Sequence, residues 1–543
     1  MARSEPQDDY TETFFVCEVL GGLAGELGQT AAALRDAAGS GALPSRRRLL
    51  QLHTRLVRIF QAELSVFERK RFVSLSHEAN KAMNLNSYLS LMGGAWVDDA
   101  TPPGLVLRPA GPDDWPDLVV PDSDYVLTLD ADSMLLREYC LRLVHQLETA
   151  GNERVAIIQT PYSSYPGAPT ELERVAGATT DLQHLQHQGK THYGATFWVG
   201  ANAVIRRHAL EDIVQVHDEG GFPIRTYVQD RTVIEDTESS IDLRANGWEL
   251  VNFPERLSYS ATPPDFGSLV VQRRRWANGG LIILPKLRRT ARRQRRLGAP
   301  LRRSEVLLRL DYLGSIAWSS LGLVLLLTLP EAMTVLSPVV FLASVPYFAA
   351  MAADLRTSGY RARDVFAIYA LNLVLLAVNS AGVLKSLQQA ATGRKIPFAR
   401  TPKVRDRSAA PALYALLPWV IAAYFAMTAY NHAYDGTWGG FAFSTVSGAL
   451  TLWGAVTFVG VRETMADVRL GVGGRLRRIA VGRPVPAARP QPATSVDGAA
   501  FLYFGEHHRL AQVPAEASAG TAVSSPAESL ALPTQGGLAL AGG

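Results

Sequence analysis

Apolar residues in the first seventy positions recur at helical spacing. Val16, Val19, Leu20, Leu23, Leu27 and Leu34 fall three, four or seven residues apart, and Gly39-Ser40-Gly41 ends the pattern. A second periodic stretch runs from about Arg46 to Arg71, with Leu49, Leu52, Leu56, Ile59, Phe60 and Leu64 on one face. The two predict a helical hairpin over 1–71, read as a packing insert. From about residue 73 the pattern changes. Asp124–Leu129, Arg154–Thr160 and Trp248–Phe253 are short apolar runs ended by Asp130, Pro161 and Pro254, with helical stretches such as Met134–Ala150 between them. Strands alternating with helices predict an α/β unit over 72–285 with a largely parallel sheet, whose ligands sit at the carboxyl ends of the strands.

Beyond residue 307 the pattern changes again. Apolar stretches occupy about 312–329, 333–353, 365–384, 411–430 and 441–461, each near the length that crosses a bilayer. The 354–364 loop, the 385–410 loop and the tail after 461 are rich in Arg and Lys, whereas 431–440 has neither. Basic flanks stay on the cytosolic side. Both flanks of 365–384 are then cytosolic, and that stretch, with Asn372, Asn379 and Ser380 on it, reads as an interfacial or re-entrant helix at 365–390. Four spans result within 308–461. Residues 462–543 read as a mostly disordered cytosolic tail, rich in Pro, Ala, Gly and Ser beyond 483.

Composition adds little to this division. The mean hydropathy of +0.04 averages a charged half and an apolar half. Two cysteines, Cys17 and Cys140, give neither a disulfide framework nor a Cys-based zinc site. Residues 1–12 are acidic and polar, so no secretory signal precedes the α/β half, which is expected in the cytosol of a plasma-membrane protein. Residues 286–307 carry a basic run, Lys286 to Arg303, with no aromatic or groove-reading motif beside it. The run reads as a juxtamembrane segment facing anionic lipid, and nucleic acid is not an expected partner. A plain transporter would leave the large soluble half unexplained.

Four motifs carry the candidate chemistry. Asp130-Ala131-Asp132 closes a buried strand, and two carboxylates so spaced can share one hard divalent cation with a diphosphate. Glu235-Asp236 opens a helical segment, where a carboxylate can take the proton of an acceptor hydroxyl. Gln272-Arg273-Arg274-Arg275-Trp276 offers a planar donor fork for a pyrophosphate and an aromatic plate for a sugar ring. Each alone has a plain structural reading: a solvated turn, a helix N-terminus favourable to acids, or an interfacial aromatic. The fourth, Lys81-Ala82-Met83-Asn84-Leu85-Asn86, precedes them.

In this order and spacing the set resembles the processive family 2 glycosyltransferases, such as cellulose synthase and hyaluronan synthase, over roughly residues 72–461. The resemblance implies a GT-A-like nucleotide-binding fold followed by an α-helical transmembrane region. It implies an inverting transfer from a UDP-sugar donor to a glycan acceptor at the lipid bilayer. Asp130 and Asp132 would hold Mg2+ or Mn2+. Lys81, Asn84, Gln272, Arg275 and Trp276 would bind substrate, and Asp236, with Glu235 beside it, would be the base. Phe197–Asn202 with Arg206-Arg207 is similar to the family's acceptor-side segment. Phe398, Thr401 and Lys403, in Phe398-Ala-Arg-Thr401-Pro-Lys403, are similar to its gating loop. The family's Thr-Glu-Asp reads Ile234-Glu235-Asp236 here. Its opening strand, which leads to an Asp gripping the uridine, has no counterpart, so the chain is expected to lack the first βα unit. A non-catalytic truncated paralogue partnering an intact synthase is the alternative reading.

Overall fold

The computed structural model describes residues 9–61, 65–200, 202–232, 234–328, 338–393 and 407–481. The chain opens with α1 (Tyr10–Phe14), capped by the Asp9 carboxylate, and passes through a short π-helical stretch into α2 (Gly21–Gly39) and then α3 (Arg46–Ile59). Helices occupy both expected stretches, but the second stops at Ile59 rather than near Arg71. Residues 65–68 lie in no helix or strand, and a 3-10 turn follows at Arg69–Arg71. The reason lies in what Arg69 and its neighbours bury. The Arg69 guanidinium donates to the carbonyls of Ser76 and Glu78, while Phe67 and Phe72 enter a cluster with Leu75, Leu91 and Leu107. A continued helix would carry these side chains away from it.

Next come α4 (Lys81–Leu89), with Asn80 as its N-cap, and a small antiparallel sheet of β1 (Ala95–Thr101), β2 (Gly104–Pro109) and β3 (Leu118–Val119). The central unit is β4 (Tyr125–Thr128), β5 (Ser133–Leu135), α5 (Tyr139–Glu148), β6 (Val155–Gln159), β7 (Tyr162–Ser164), α6 (Glu171–His192), β8 (Ala203–Arg206) and α7 (Arg207–Glu211). The hairpin β9 (Gln215–Glu219) and β10 (Phe222–Thr226) follows, then α8 (Glu235–Ala245), β11 (Glu249–Asn252) and β12 (Ser258–Ser260).

The main sheet has the order β11-β6-β8-β4. It corrects the expectation of a largely parallel sheet: β6 and β11 are parallel, but β8 runs antiparallel to both β6 and β4. The cause is where α6 ends. Its last turn lies beside the carboxyl end of β11, where the Asn252 N–H donates to Thr191 Oγ1 at 3.0 Å. The chain therefore enters β8 from the carboxyl ends of its neighbours and must run backwards. β4, β6 and β11 still share one direction, so their carboxyl ends still gather at one edge. All five residues of β6 are buried, and Val155, Ile157 and Ile158 each contribute roughly 1.5–3 kcal/mol by leaving water.

The helical region comprises α9 (Phe266–Arg296), α10 (Arg303–Thr328), α11 (Pro338–Thr357), α12 (Asp364–Val374), α13 (Leu376–Thr392), α14 (Ala412–Tyr434), α15 (Trp438–Gly454) and α16 (Val461–Val481). Among the described residues, 303–327, 412–434 and 438–459 are long and apolar enough to cross a bilayer. The pair α12/α13, bent by 54°, would be a fourth only if it counts as one span. This pair is the stretch expected to be interfacial. Its first turn is bound to the α/β unit by Arg174, whose guanidinium lies 2.6 Å from Asp364. Part of the stretch expected as a span at 333–353 lies outside the described residues, and α11 is what is described of it. Phe398, Thr401 and Lys403 lie outside the described residues, as does 482–543. The basic run is not wholly a surface. Lys286 turns inward to Asp242 at 2.5 Å and Glu238 at 3.3 Å, although Arg288, Arg289, Arg292, Arg293, Arg295 and Arg296 are exposed.

Candidate active site

One cavity of about 1770 Å³ lies across the carboxyl edge of the sheet. Its wall includes Lys81, Asn84, Asp130, Asp132, Glu235, Asp236, Gln272, Arg275 and Trp276, so the described candidates of all four motifs are brought to one space. The cavity does not end at the α/β unit. It continues between the helices along Tyr312, Ser319 and Leu323 of α10, Met351 of α11, and Tyr369 and Asn379 of α12 and α13.

Asp130 and Asp132 follow β4 directly. The Lys81 ammonium, at the first turn of α4, lies 2.5 Å from Asp130 Oδ1, and the Asp130 N–H donates to Asn202 Oδ1 at 3.3 Å. The Asp132 backbone carbonyl accepts from the Tyr165 hydroxyl at 3.1 Å. Among the described residues no group of three or more His, Cys, Asp or Glu side chains is placed to hold a metal. The donor chemistry nevertheless fits a hard cation: two carboxylates on one cavity wall, with the remaining oxygen ligands left to a diphosphate and water.

Glu235 and Asp236 form the first turn of α8. Asp236 accepts the Gly200 N–H at 2.5 Å and the Thr237 N–H at 2.7 Å. Burial raises the pKa of both side chains, making each a weaker acid than an ordinary carboxyl. Glu235 is pushed up to about 7 by burial and then by the neighbouring Asp236 charge, and Lys81 and Arg275 oppose the shift. Asp236 is raised by burial, against the pull of its two backbone N–H bonds. Those bonds favour its ionised form, so a proton shared by the pair belongs on Glu235.

Gln272, Arg275 and Trp276 share one face of α9. Arg273, between them, also lines the cavity: its guanidinium sits 4.8 Å from the Trp276 ring centre and donates to Thr179 Oγ1 at 2.5 Å.

Sequence reasoning passed over Tyr162, Gly200, Asn202 and Asn86 as individual site residues. Gly200 has φ +82°, and a Cβ there would come within 2.6 Å of the Tyr162 ring. Its signal is the Phe197–Asn202 segment itself, which ties Asp130 through Asn202 and Asp236 through Gly200. Arg206 and Arg207, by contrast, do not reach the cavity. Arg206 donates to the Val155 and Leu147 carbonyls and Arg207 pairs with Asp122. Asn86 is fully buried and latches the chain after β10, accepting from the N–H groups of Tyr227 and Val228 and donating to the Val228 carbonyl. Asn84 faces the cavity and accepts from Arg69 Nε at 3.3 Å.

Residues 125–351, from β4 into α11, match the model of glycosyl transferase family group 2. The chain carries a family 2 glycosyltransferase domain. It is 27% identical over 165 residues to the UDP-forming cellulose synthase catalytic subunit of Komagataeibacter sucrofermentans, covering 30% of this chain and 20% of that protein. It is 28% identical over 168 residues to cellulose synthase 1 of Novacetimonas hansenii, covering 30% of this chain and 10% of that protein. To the probable glucomannan 4-beta-mannosyltransferase 11 of Oryza sativa subsp. japonica it is 25% identical over 170 residues, or 31% of this chain and 27% of that protein. The matched stretch thus spans between a tenth and about a quarter of these relatives' lengths. The match takes in the chain from β4 onward and leaves α4 and β1–β3 before it, and the membrane-length helices fit a bilayer protein.

Proposed function

We propose that this protein is a membrane-bound, inverting glycosyltransferase that moves a sugar from a cytosolic UDP-sugar onto a growing β-glycan at the plasma membrane. The supporting observation is the single cavity, which gathers the carboxylates, cations and aromatic plate of the candidate site and then runs on between the helices. A donor entering at the sheet edge and an acceptor entering from the helices would meet at Asp236.

The chain's own groups divide the work by position. Lys81 and Arg275 balance the charge of the diphosphate. Asp236, ionised and oriented by the Gly200 and Thr237 N–H groups, takes the proton of the acceptor hydroxyl as that oxygen attacks the sugar carbon from the side opposite the leaving UDP. Trp276 lies under the acceptor sugar, and Gln272 and Asn84 donate to substrate. When bound, Mg2+ or Mn2+ held by Asp130 and Asp132 would supply neutralisation of the charge that develops on the departing diphosphate. The similarity to proteins named for cellulose and glucomannan synthesis favours a polysaccharide product. The four-span arrangement, with the interfacial α12/α13 pair and cytosolic basic loops, gives the catalytic unit access to cytosolic donor.

The test is UDP release by the purified full chain in lipid nanodiscs, with a panel of UDP-hexoses and Mn2+ or Mg2+, followed by digestion of any product with linkage-specific glucanases. Metal-dependent release that is lost in Asp236→Asn supports the reading. UDP binding with no release from any donor would overturn it in favour of a non-catalytic partner of another synthase.

A further inference from the structure

Among the described residues 9–61, Phe14 alone is buried, at 5% exposed. The helical arm that they form is therefore seated by one apolar side chain. That seat is aromatic. The Phe14 ring centre lies 4.4 Å from that of Tyr259 on β12 and 5.3 Å from that of Tyr165, just beyond β7. Tyr10, one turn earlier on α1, meets the Tyr165 ring edge-on at 6.4 Å. Its hydroxyl donates to Glu173 Oε1 at 2.9 Å, in the first turn of α6. The arm thus touches the segment from Tyr165 to Glu173 at both ends.

Both aromatic partners of Phe14 lead to the carboxylates of the cavity. β12 pairs with β5, Ser260 opposite Ser133 and Tyr259 opposite Met134. Ser133 and Ser260 line the cavity. Successive side chains on a strand point to opposite faces, so Tyr259 and Phe14 back the strand pair that forms this part of the wall. Tyr165 reaches further. Its hydroxyl donates to the backbone carbonyl of Asp132 at 3.1 Å. That peptide carries one of the two carboxylates that fit a hard cation. A carboxylate ligand holds a cation well only when the groups behind it fix its direction. The Tyr165 hydroxyl is such a group, and its ring is held in turn by Phe14.

We infer that Phe14 is a positioning residue of the donor site: by seating the Tyr165 ring it sets the Asp132 peptide, and through it the direction in which the Asp132 carboxylate meets a divalent cation. The inference rests on the reading that Asp130 and Asp132 hold that cation for a diphosphate. It goes beyond that reading by making the hold depend on the helical arm.

The experiment measures equilibrium binding of radiolabelled UDP by the full chain in lipid nanodiscs across a series of Mn2+ concentrations. The readout is the Mn2+ concentration at half-maximal binding, with thermal melting on the same preparations. Tyr165→Phe keeps the ring and removes only the hydroxyl, and it should raise that midpoint about three- to tenfold, the scale of one hydrogen bond. Phe14→Ala should raise it by a similar factor, whereas Phe14→Leu, which still fills the seat, should stay near the parent value. The double variant Phe14→Ala/Tyr165→Phe should be no weaker than Tyr165→Phe alone, because Phe14 acts through that hydroxyl. A lower melting temperature in Phe14→Ala with an unmoved Mn2+ midpoint would make the arm merely structural and overturn the inference. So would an unmoved midpoint in Tyr165→Phe, a result that stands whether or not Phe14→Ala folds, and so would additive effects in the double variant. Asp132→Ala separates the two levels. If it leaves the Mn2+ dependence unchanged, the cation reading falls and the inference with it. If it removes the dependence while Phe14→Ala and Tyr165→Phe keep the parent midpoint, the inference alone falls.

Discussion

The Gly200 N–H points at the Asp236 carboxylate from 2.5 Å, and it does so from a backbone conformation, φ +82°, that side chains disfavour. The same residue packs against the Tyr162 ring so closely that a Cβ would overlap it at 2.6 Å. Glycine is thus required twice at this position, and both requirements serve the carboxylate. Gly200→Ala is expected to lose most turnover while costing about 1–3 kcal/mol of stability, the usual cost of a strained backbone. Steady-state UDP release and thermal melting on the same preparation check this. A variant with normal kcat would show that the N–H is not needed to orient Asp236.

Asp236→Asn should lower kcat by about 10²- to 10⁴-fold, the range of a lost general base. UDP affinity should stay near normal, because the donor is balanced by Lys81 and Arg275 and not by Asp236. Equilibrium binding of UDP alongside turnover separates the two effects. Near-normal turnover would remove Asp236 from the mechanism.

The carboxylate pair also predicts a pH dependence. Burial and the neighbouring Asp236 charge keep the proton on Glu235 up to about 7, while burial raises Asp236, the base, above its ordinary value. The acid limb of kcat, set by Asp236, should therefore lie above the ordinary Asp range, and Glu235→Gln, which mimics the protonated neighbour, should leave it in place. Stability carries the matching sign. A carboxyl whose folded pKa is raised binds its proton more tightly in the fold than in the unfolded chain, so its contribution is present at low pH and is lost as pH rises from the ordinary Glu value through about 7. Ligand-free Glu235→Gln should melt higher than the parent protein at pH 8 and show no such gain at pH 4. Melting curves at the two pH values decide it.

Much of this site could be read from the chain because its chemistry sits at the ends of locally readable elements. The apolar run Tyr125–Thr128 announces Asp130, and acids before a helical stretch announce Glu235 and Asp236. The direction of β8 could not be read, because it is set by where α6 ends, and Thr191 meets Asn252 only in three dimensions. Gly200 and Tyr162 were hidden for the same reason: their relation is a contact across 38 positions. The premature end of α3 was hidden by Arg69, whose partners are loop carbonyls with no side-chain signature. The spans were visible as apolar runs, yet the first turns of α10 also hold buried Glu305 and Arg309, the former paired with Arg244 at 2.9 Å. The boundary between α/β unit and membrane helix is therefore a packed interface rather than a linker.

Lys81 and Asp130 should respond to metal as a competing pair, because the ammonium occupies the carboxylate at 2.5 Å. Lys81→Ala should bind Mn2+ alone more tightly than the parent protein and bind UDP about tenfold or more weakly, the scale of one charge-assisted hydrogen bond. Asp130→Ala or Asp132→Ala should weaken UDP binding and remove its dependence on divalent ion. UDP titrations with and without Mn2+ test both. An unchanged metal dependence in the Asp variants would place the cation elsewhere.

Asn84 and Asn86 lie two residues apart on α4 and point to different tasks. Asn86 accepts two backbone N–H groups and donates to a carbonyl in a fully buried position, so Asn86→Ala strands three buried backbone groups at once. Each such loss costs roughly 1–3 kcal/mol. The variant should therefore fold poorly or melt far below the parent protein, whether or not nucleotide is present. Asn84 faces the cavity and accepts from Arg69 Nε at 3.3 Å. Asn84→Ala should melt within a few degrees of the parent protein and instead raise KM for the donor. Thermal melting of both variants, with donor kinetics on Asn84→Ala, makes the distinction. A reversal, with Asn84→Ala unstable and Asn86→Ala merely slow, would mean that the two side chains have exchanged the tasks their contacts assign them.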